Sequence, residues 1–456
     1  MTDNTADLAE TGEPKSHKVK WPLLITGTVL IVLLSEVIGE IRIPLGPSSI
    51  PLLPLLWALI IGGVWGFFSP RMPAQISLSR RDQFAAATML QPALLLFIAK
   101  LGLLVGGAVP QVIAAGWALA FQEFGHFMGT MMFGLPIALL LGIKREAIGA
   151  TFSIGREPSL AIIGEKFGMD SPEGRGVLAE YLTGTVFGAI FIAILAGFLA
   201  SLDIFNPLAL AMGAGVGSGS MMAAASGAIA AQQTPEVAED VATFAAASNL
   251  ITTTIGTYFT LFISLPFTIW AYKTLEPIIG RNRKNVTAVS EEKTIQDKDV
   301  VLESEVKESP SLIAGAWLLA ATLALSGNWI TYGTPPTLTV LTGMGIILGV
   351  TAVGYLLFRL TRQFLPAVLW CSIVGMAMTY PANPLSDFFS EASQTINFLA
   401  LATPILAFAG LSIAKDIPAF RKLGWRIVVV SFCANAGTFL GATLIAQFFM
   451  HPPIQG

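Results

Sequence analysis

Long apolar runs separated by short polar loops extend along almost the whole chain. The hydrocarbon core of a bilayer is about 30 Å thick and needs roughly 20 apolar residues for each helical crossing. Reading the runs between polar loops predicts about 13 crossings, with about 11–13 as the expected range. The runs cover residues 21–39, 51–68, 85–105, 111–142, 147–167, 176–200, 206–231, 243–275, 312–327, 336–358, 364–380, 395–413 and 423–450. We therefore predict an all-α, polytopic transmembrane bundle.

The charged loops orient these predicted helices. Basic residues fall in the loops on the side of the N-terminus: Arg71, Arg80, Arg81, Lys144, Arg145, Arg281, Arg283, Lys284, Arg359, Arg362, Arg421 and Lys422. Acidic residues such as Glu236, Asp240 and Asp387 fall in the opposite loops. Because Lys and Arg favour cytoplasmic loops, we expect a multi-pass inner-membrane protein. Its N-terminus is then cytoplasmic and its C-terminus periplasmic or extracellular.

Composition excludes other classes of protein. Hydrophobic residues make up 54% of the chain and charged residues 12%, against about 25% charged in soluble proteins. The net charge of −3, with no basic face, predicts no nucleic-acid partner. Cys371 and Cys433 have no metal-ligand spacing, and the chain lacks a Walker A, HExxH or GxSxG motif. We predict no enzyme activity, no cofactor and no metal centre, with the lipid bilayer as surroundings.

Two polar segments divide the chain. Residues 1–20 form a predicted disordered cytoplasmic tail, and residues 281–310 are too polar to bury a core, so they form a predicted cytoplasmic linker. Between them, residues 21–280 form a first membrane part with a candidate substrate-binding core at 146–275. Residues 311–450 form a second membrane part. Whether the protein forms a homodimer stays open at this point.

An internal repeat joins the two parts at an offset of 308 residues. The matched residues are Gly102, Pro110, Gly116, Trp117, Gly129 and Thr130 with Gly410, Pro418, Gly424, Trp425, Gly437 and Thr438. A weaker match at offset 312 joins Leu53, Pro54 and Gly63 to Leu365, Pro366 and Gly375. On the predicted topology, 311–450 is an inverted copy of 21–142. Inverted repeats are typical of secondary transporters, since the two copies provide two exchangeable states.

The segment 149–168 predicts a first broken helix. Pro158 lacks an amide hydrogen and disfavours helix at the preceding residue, so we expect an unwound turn near 155–158. Amides freed there can bind an anion. The candidate substrate-binding residues are Thr151, Ser153, Gly155, Arg156, Glu157 and Ser159. The alternative is a cytoplasmic loop before an ordinary helix, with Arg156 and Glu157 paired at the interface.

The segment 211–231 predicts a second broken helix. Glycine stands at positions 213, 215, 217 and 219, and each glycine destabilises a helix by about 1 kcal/mol relative to alanine. We expect an extended stretch that exposes backbone to a ligand. The candidate binding residues are Gly217, Ser218, Gly219 and Ser220. The alternative is a surface of small residues for close helix packing.

Ionisable residues inside predicted crossings are candidates for proton or ion coupling, because burying charge in a membrane is costly. They are Lys100, Glu123, His126 and Glu180. Glu123 and His126 are three residues apart and share a helix face. The alternative is a structural pair that bonds Lys100 or a backbone carbonyl. Asn249 and Thr252 can coordinate a cation, although a threonine hydroxyl more often bonds its own helix.

The runs "GREPSLAIIGEKFGMDSPEGRGVLAEYLTGTVFGAIF", "GVGSGSM" and "FRKLGWRIVVVSFCANAGTFLGATLIA" resemble the bacterial membrane family named domain of unknown function 3100. More distantly, the order of the two broken segments is similar to LrgB-type proteins and to glutamate, citrate and cation/proton transporters. That resemblance implies crossed broken helices and small carboxylate substrates moved with Na⁺ or H⁺. This chain has Ser218, Gly219 and Ser220 where the LrgB-type motif carries a His and a Gly-Thr pair, which leaves the substrate open.

We therefore expect a secondary active transporter of a small organic anion, a carboxylate, coupled to Na⁺ or H⁺. One alternative is a cation/proton antiporter with Glu123, His126 or Glu180 as carrier. Another is a holin-like or regulatory LrgB-type membrane component.

Overall fold

The computed structural model describes residues 19–45, 48–154, 156–168, 171–280, 309–362, 364–417 and 424–450. The predicted tail and linker lie almost entirely outside these residues. The described chain is helical apart from one short hairpin, which confirms the predicted all-α fold class.

The first membrane part contains fourteen helices and two strands within the described residues. They are α1 (Trp21–Ile38), β1 (Ile41–Leu45), β2 (Ser48–Leu52), α2 (Pro54–Phe68), α3 (Arg80–Gly107), α4 (Val109–Ala115), α5 (Trp117–Leu140), α6 (Glu146–Thr151), α7 (Arg156–Phe167), α8 (Pro172–Thr183), α9 (Ala189–Ser201), α10 (Pro207–Ala214), α11 (Gly219–Ala230), α12 (Pro235–Ile251), α13 (Thr257–Phe259) and α14 (Leu265–Ile279). A 3₁₀ turn covers Ser69–Arg71, and π-helical turns cover Gly184–Gly188, Thr252–Gly256 and Thr260–Ser264. The strands pair antiparallel, with Ile41 opposite Leu52.

The second membrane part contains six described helices. They are α15 (Pro310–Ile330), α16 (Leu338–Leu360), α17 (Ala367–Thr379), α18 (Ser386–Gln394), α19 (Phe398–Ile413) and α20 (Trp425–Phe449).

Seven continuous helices in the described chain are long and apolar enough to cross a membrane. They begin at Trp21, Arg80, Trp117, Pro172, Pro310, Leu338 and Trp425. The pair α18 and α19, bent by 60°, makes an eighth if it counts as one span. The chain is therefore a multi-pass membrane protein, but the predicted count of about 13 crossings is not confirmed. Each predicted run is helical, yet several runs form helices that are short or broken.

Glycines bring α5 and α20 into backbone contact. A β-carbon on Gly129 would collide with the carbonyl of Gly437, and one on Gly125 would collide with the carbonyl of Gly441. The partner's number falls as the position on α5 rises, so the two helices run antiparallel. Beside this contact, the hydroxyls of Thr130 and Thr438 bond to each other. Small residues allow such close approach between membrane helices.

Two further glycine contacts join the two membrane parts. A β-carbon on Gly375 in α17 would lie 2.9 Å from the carbonyl carbon of Gly102 in α3. One on Gly410 in α19 would lie 3.0 Å from the amide nitrogen of Gly63 in α2. Helix α3 therefore packs against α17 through a pair of glycines, and α19 packs against α2 in the same way.

The middle of the chain, residues 146–264, uses one order of elements twice. A short helix, α6, is followed by a break, the helix α7 and the helix α8, which ends in a π-helical turn. The next segment repeats this order with α10, a break, α11 and α12, again ending in a π-helical turn. The two breaks are the features that position the candidate site.

Candidate functional site

The first break separates α6 from α7. Residues 152–154 leave the helix, and Gly155 lies outside the described residues. The hydroxyl of Ser264 donates to the carbonyl of Phe152, which pairs a backbone oxygen released by the break. The expected position of the unwound turn was wrong: Pro158 is the third residue of α7. Proline is tolerated there because amides of the first helical turn have no partner within the helix.

Ion pairs anchor the helix before this break. Arg145 Nε lies 2.8 Å from Glu173 Oε1, and Arg175 Nη2 lies 3.1 Å from Glu146 Oε1. The Glu173 carboxylate raises the pKa of the Arg145 guanidinium. The N-terminal end of α6 is therefore held against the N-terminal end of α8.

The second break covers residues 215–218 and is shorter than expected, since α10 continues through Gly213 to Ala214. Gly213 packs against Phe439 and Thr443 of α20. At this position the glycine allows close helix packing, which was the alternative interpretation of the segment. Gly217 has φ +112°, in the region that favours glycine. This is the position where the break itself requires glycine.

Helix α12 pairs the carbonyls that the second break releases. Ser248 Oγ donates to Met212 O at 2.7 Å. Asn249 Nδ2 donates to Gly215 O at 2.8 Å and to Gly217 O at 3.3 Å. These bonds occupy the carbonyls of Met212, Gly215 and Gly217, while the first amides of α11 have no partner within that helix. Ser218 caps that helix, accepting from the amide of Met221 at 3.3 Å.

The two breaks meet at one cavity of about 230 Å³. Its wall includes the predicted residues Ser153, Ser159, Gly217, Ser218, Gly219, Ser220, His126, Asn249 and Thr252. The first turns of α7 and α11 both border the cavity. A helix N-terminus carries unpaired amides and a partial positive charge. Two such ends at one cavity form an environment suited to an anion.

Two polar atoms at this cavity have no hydrogen-bond partner within the described part of the chain. They are Ser159 Oγ and His126 Nε2, both buried. Ser159 is 1% exposed and His126 is 3% exposed. Buried polar atoms in proteins are normally hydrogen-bonded. Both residues line the cavity, so these two atoms are candidate hydrogen-bond partners for a bound ligand.

Glu123, also in α5, is the hydrogen-bond partner of His126. Glu123 Oε2 lies 3.2 Å from His126 Nδ1, and Gln122 Nε2 donates to Glu123 Oε1 at 3.0 Å. The hydroxyl of Thr252 also donates to Glu123 Oε1. The carboxylate therefore has partners on both oxygens, and Thr252 is a donor to it.

The other predicted site residues lie elsewhere. Lys100 Nζ donates to Ser393 O at 3.0 Å, so the hypothesis that Lys100 pairs with Glu123 and His126 was wrong. Asn435 Nδ2 lies 3.5 Å from Glu180 Oε1. Thr151 bonds Ala147 O within α6. Gly155 and the side chains of Arg156 and Glu157 lie outside what the structure describes.

A second cavity of about 230 Å³ lies farther along α3. Its lining is polar and includes Gln111, Glu239, Asp240 and Ser393. Between the two cavities is a space of about 10 Å³, about the smallest volume that holds one water molecule. Its lining is mostly apolar: Ile98, Leu101, Val105, Met222, Val368 and Met376 with Gly102, Ala246, Asn249, Leu250 and Ser372.

Sequence reasoning missed several residues of the site. Gln91 lines the cavity, and Gln122 holds Glu123. An amide side chain inside an apolar run is a signal that could have found both. Ser248 and Ser264 donate hydrogen bonds to backbone carbonyls at the two breaks, although both serines are distant from the breaks in the sequence. No local signal in the sequence reveals these contacts.

Comparison with known proteins identifies one family. The sequence profile described as "Protein of unknown function (DUF3100)" matches residues 33–274, more than half of the chain. No curated protein and no solved structure shows a significant match.

Proposed function

The chain belongs to the DUF3100 family, and we propose that it is a secondary active transporter for a small carboxylate, coupled to H⁺ or Na⁺. The observation that carries the proposal is the cavity at which the N-termini of α7 and α11 meet. Discontinuous helices whose N-termini face an anionic group are the usual substrate site of secondary transporters. In this site the candidate ligands for a carboxylate are the amides of Gly219 and Ser220 and the hydroxyl of Ser159.

An inverted repeat is part of this proposal. Helices α5 and α20, which the 308-residue offset makes equivalent, run antiparallel and touch at the matched residues Gly129 and Gly437. The contact of α3 with α17 and that of α19 with α2 exchange when α3 is matched to α19 at offset 308 and α2 to α17 at offset 312. Both observations support two copies related by a two-fold axis. Such copies supply the two states that alternating access needs.

The inner-membrane orientation is likewise proposed from charge. Lys20 Nζ donates to Ala74 O at 2.7 Å and to Ser77 O at 3.0 Å, in the loop that carries Arg71. Lys415 lies over the ring of Phe84 at 5.7 Å, near the start of α3. Basic residues from three loops therefore gather at one end of the bundle. This supports a cytoplasmic location for that end and for the N-terminus.

A cation/proton antiporter is the weaker candidate. It requires a carboxylate that is free to bind the transported cation, whereas both oxygens of Glu123 already have partners. The N-termini of two helices border the cavity, which favours an anion. No observation on the described residues favours a holin-like component.

The test is uptake into proteoliposomes. The purified protein is reconstituted and given labelled acetate, lactate, succinate, glutamate or citrate under an imposed pH or Na⁺ gradient. We expect gradient-dependent uptake of at least one of them. Ser159→Ala should weaken uptake by about 10-fold or more, since a hydrogen bond to a charged group contributes about 1.5–3 kcal/mol.

The matched control is Ser326→Ala in α15, whose exposed hydroxyl bonds its own helix at Thr322 O. It should transport like the parent protein. Lack of gradient-dependent uptake for every carboxylate would contradict the proposed function. Equal uptake by Ser159→Ala and Ser326→Ala would remove Ser159 from the site.

A further inference from the structure

The imidazole of His126 connects a buried carboxylate to the cavity. Its Nδ1 atom lies 3.2 Å from Glu123 Oε2, and both side chains are 3% exposed. Its Nε2 atom is buried without a hydrogen-bond partner among the described residues, at a residue that lines the cavity. One nitrogen is thus engaged by protein, and the other is available to a ligand or a proton.

The surroundings of Glu123 fix the tautomer of this histidine. Gln122 and Thr252 both donate to Glu123 Oε1, as suits an ionised carboxylate that only accepts hydrogen bonds. Oε2 must then accept from Nδ1, so the neutral imidazole carries its hydrogen on Nδ1. The partner of one ring nitrogen decides the state of the other. Nε2 therefore carries the unpaired lone pair, at a residue that lines the cavity.

We propose that the coupling ion is the proton, and that His126 Nε2 takes it up together with the anion; this inference rests on the proposed function. With neutral His126 the pair carries the single negative charge of Glu123, which repels an anion. A proton added to the Nε2 lone pair neutralises the pair and turns Nε2 into a donor. Anion and proton then bind cooperatively, because each raises the affinity for the other by the same factor.

Few other charged groups face this pair. On the elements packed against α5, the titratable residues of the described chain are Glu146 (α6), Glu236, Glu239 and Asp240 (α12), Tyr272, Lys273 and Glu276 (α14), and Arg426 and Cys433 (α20). Asp240 precedes Thr252 by twelve residues, about 18 Å along a helix. Tyr258, in the short helix α13, is 65% exposed. The charge of the pair is thus set within α5 itself.

Sodium fits this wall less well than the proton does. A Na⁺ ion needs several oxygen ligands, as hard cations do. The hydroxyl of Thr252 donates to Glu123, and that of Thr253 donates to Asn249 O at 2.7 Å. The carbonyls of Gly215 and Gly217 accept from Asn249. These four oxygens therefore already have hydrogen-bond partners.

Calorimetry on the purified full-length protein tests the proposal. Acetate, lactate, succinate, glutamate and citrate are titrated in two buffers of different ionisation enthalpy at a pH where free histidine is neutral. We expect uptake of about one proton per bound anion, the capacity of one imidazole. His126→Gln keeps a neutral donor at this position and should bind the same anion without proton uptake.

Nuclear magnetic resonance gives a readout that does not depend on a variant at the site. The chain has three histidines, His17, His126 and His451. In the control variant with His17→Gln and His451→Gln, the ¹⁵N signals of the remaining imidazole should change from the neutral to the protonated pattern when the bound anion is added at constant pH.

The outcomes separate the two proposals. Binding without proton uptake, or with a Na⁺ requirement, would overturn the role of His126 and leave the carboxylate transporter standing. A neutral ¹⁵N pattern in the presence of saturating anion would do the same. Absence of binding for every carboxylate in the panel, together with absence of uptake in proteoliposomes, would overturn the proposed function and this inference with it.

Discussion

Gly129 and Gly437 show how single atoms decide the packing of two membrane helices. A β-carbon at Gly129 has no room against the carbonyl of Gly437, whereas one at Gly345 in α16 meets nothing within 4 Å. We expect Gly129→Ala to destabilise the protein by about 1–3 kcal/mol, the usual cost of overpacking. Gly345→Ala should be neutral or stabilising, because alanine favours helix by up to about 1 kcal/mol.

The measurement for this pair is the midpoint of thermal unfolding of each purified variant in the same detergent. Gly129→Ala should unfold at a lower temperature than the parent protein, and Gly345→Ala should not. Equal midpoints for the two variants would contradict the close contact between α5 and α20.

At the scale of elements, each break depends on side chains from a later part of the chain. Asn249 supplies two hydrogen bonds to the carbonyls of Gly215 and Gly217. Asn249→Ala leaves these groups without that donor, at a cost of about 1–3 kcal/mol. We expect faster hydrogen–deuterium exchange of the backbone amides at 213–221, measured by mass spectrometry.

Asn328→Ala is the matched control for this exchange experiment. Asn328 also pairs backbone groups of another segment, donating to Thr395 O at 3.0 Å and accepting from the amide of Asn397 at 2.9 Å. Its loss should raise exchange near 395–397 and leave 213–221 unchanged. If both variants changed 213–221 equally, the specific role of Asn249 would be refuted.

The sequence predicts some features of these elements correctly and others not. Apolar runs located the helices, because a membrane helix satisfies its own backbone and needs little from its neighbours. The alternate glycines at 213–219 located the second break. Local rules misplaced the first break: Pro158 fits inside a first turn, and the released carbonyl of Phe152 is paired by Ser264 from over a hundred residues away. Spacing put Glu123 and His126 on one face, but only tertiary packing places His126 at the cavity wall.

At the scale of the whole molecule, two cavities and the narrow space between them follow α3. The first cavity borders Gln91 and Leu94, the narrow space borders Leu101 and Val105, and the second cavity borders Gln111. A transporter that alternates access must keep one side closed while the other is open. For the proposed transporter, the closed region is the mostly apolar contact between α3 and its neighbours, which would resist the passage of an ion since a charge there is costly.

Leu101 lies in this narrow region. Leu101 is 3% exposed, and Leu101→Ala shortens a side chain that lines the narrow space between the cavities. Each 1.36 kcal/mol lost from a barrier speeds passage about tenfold, so a modest opening should give a measurable leak. We expect proteoliposomes with Leu101→Ala to show faster efflux of the preloaded carboxylate without a gradient and lower accumulation with one. Leu356→Ala, at a position 56% exposed on α16, should behave like the parent protein. Tight coupling retained in Leu101→Ala would mean that the path between the two cavities is not the route of the substrate.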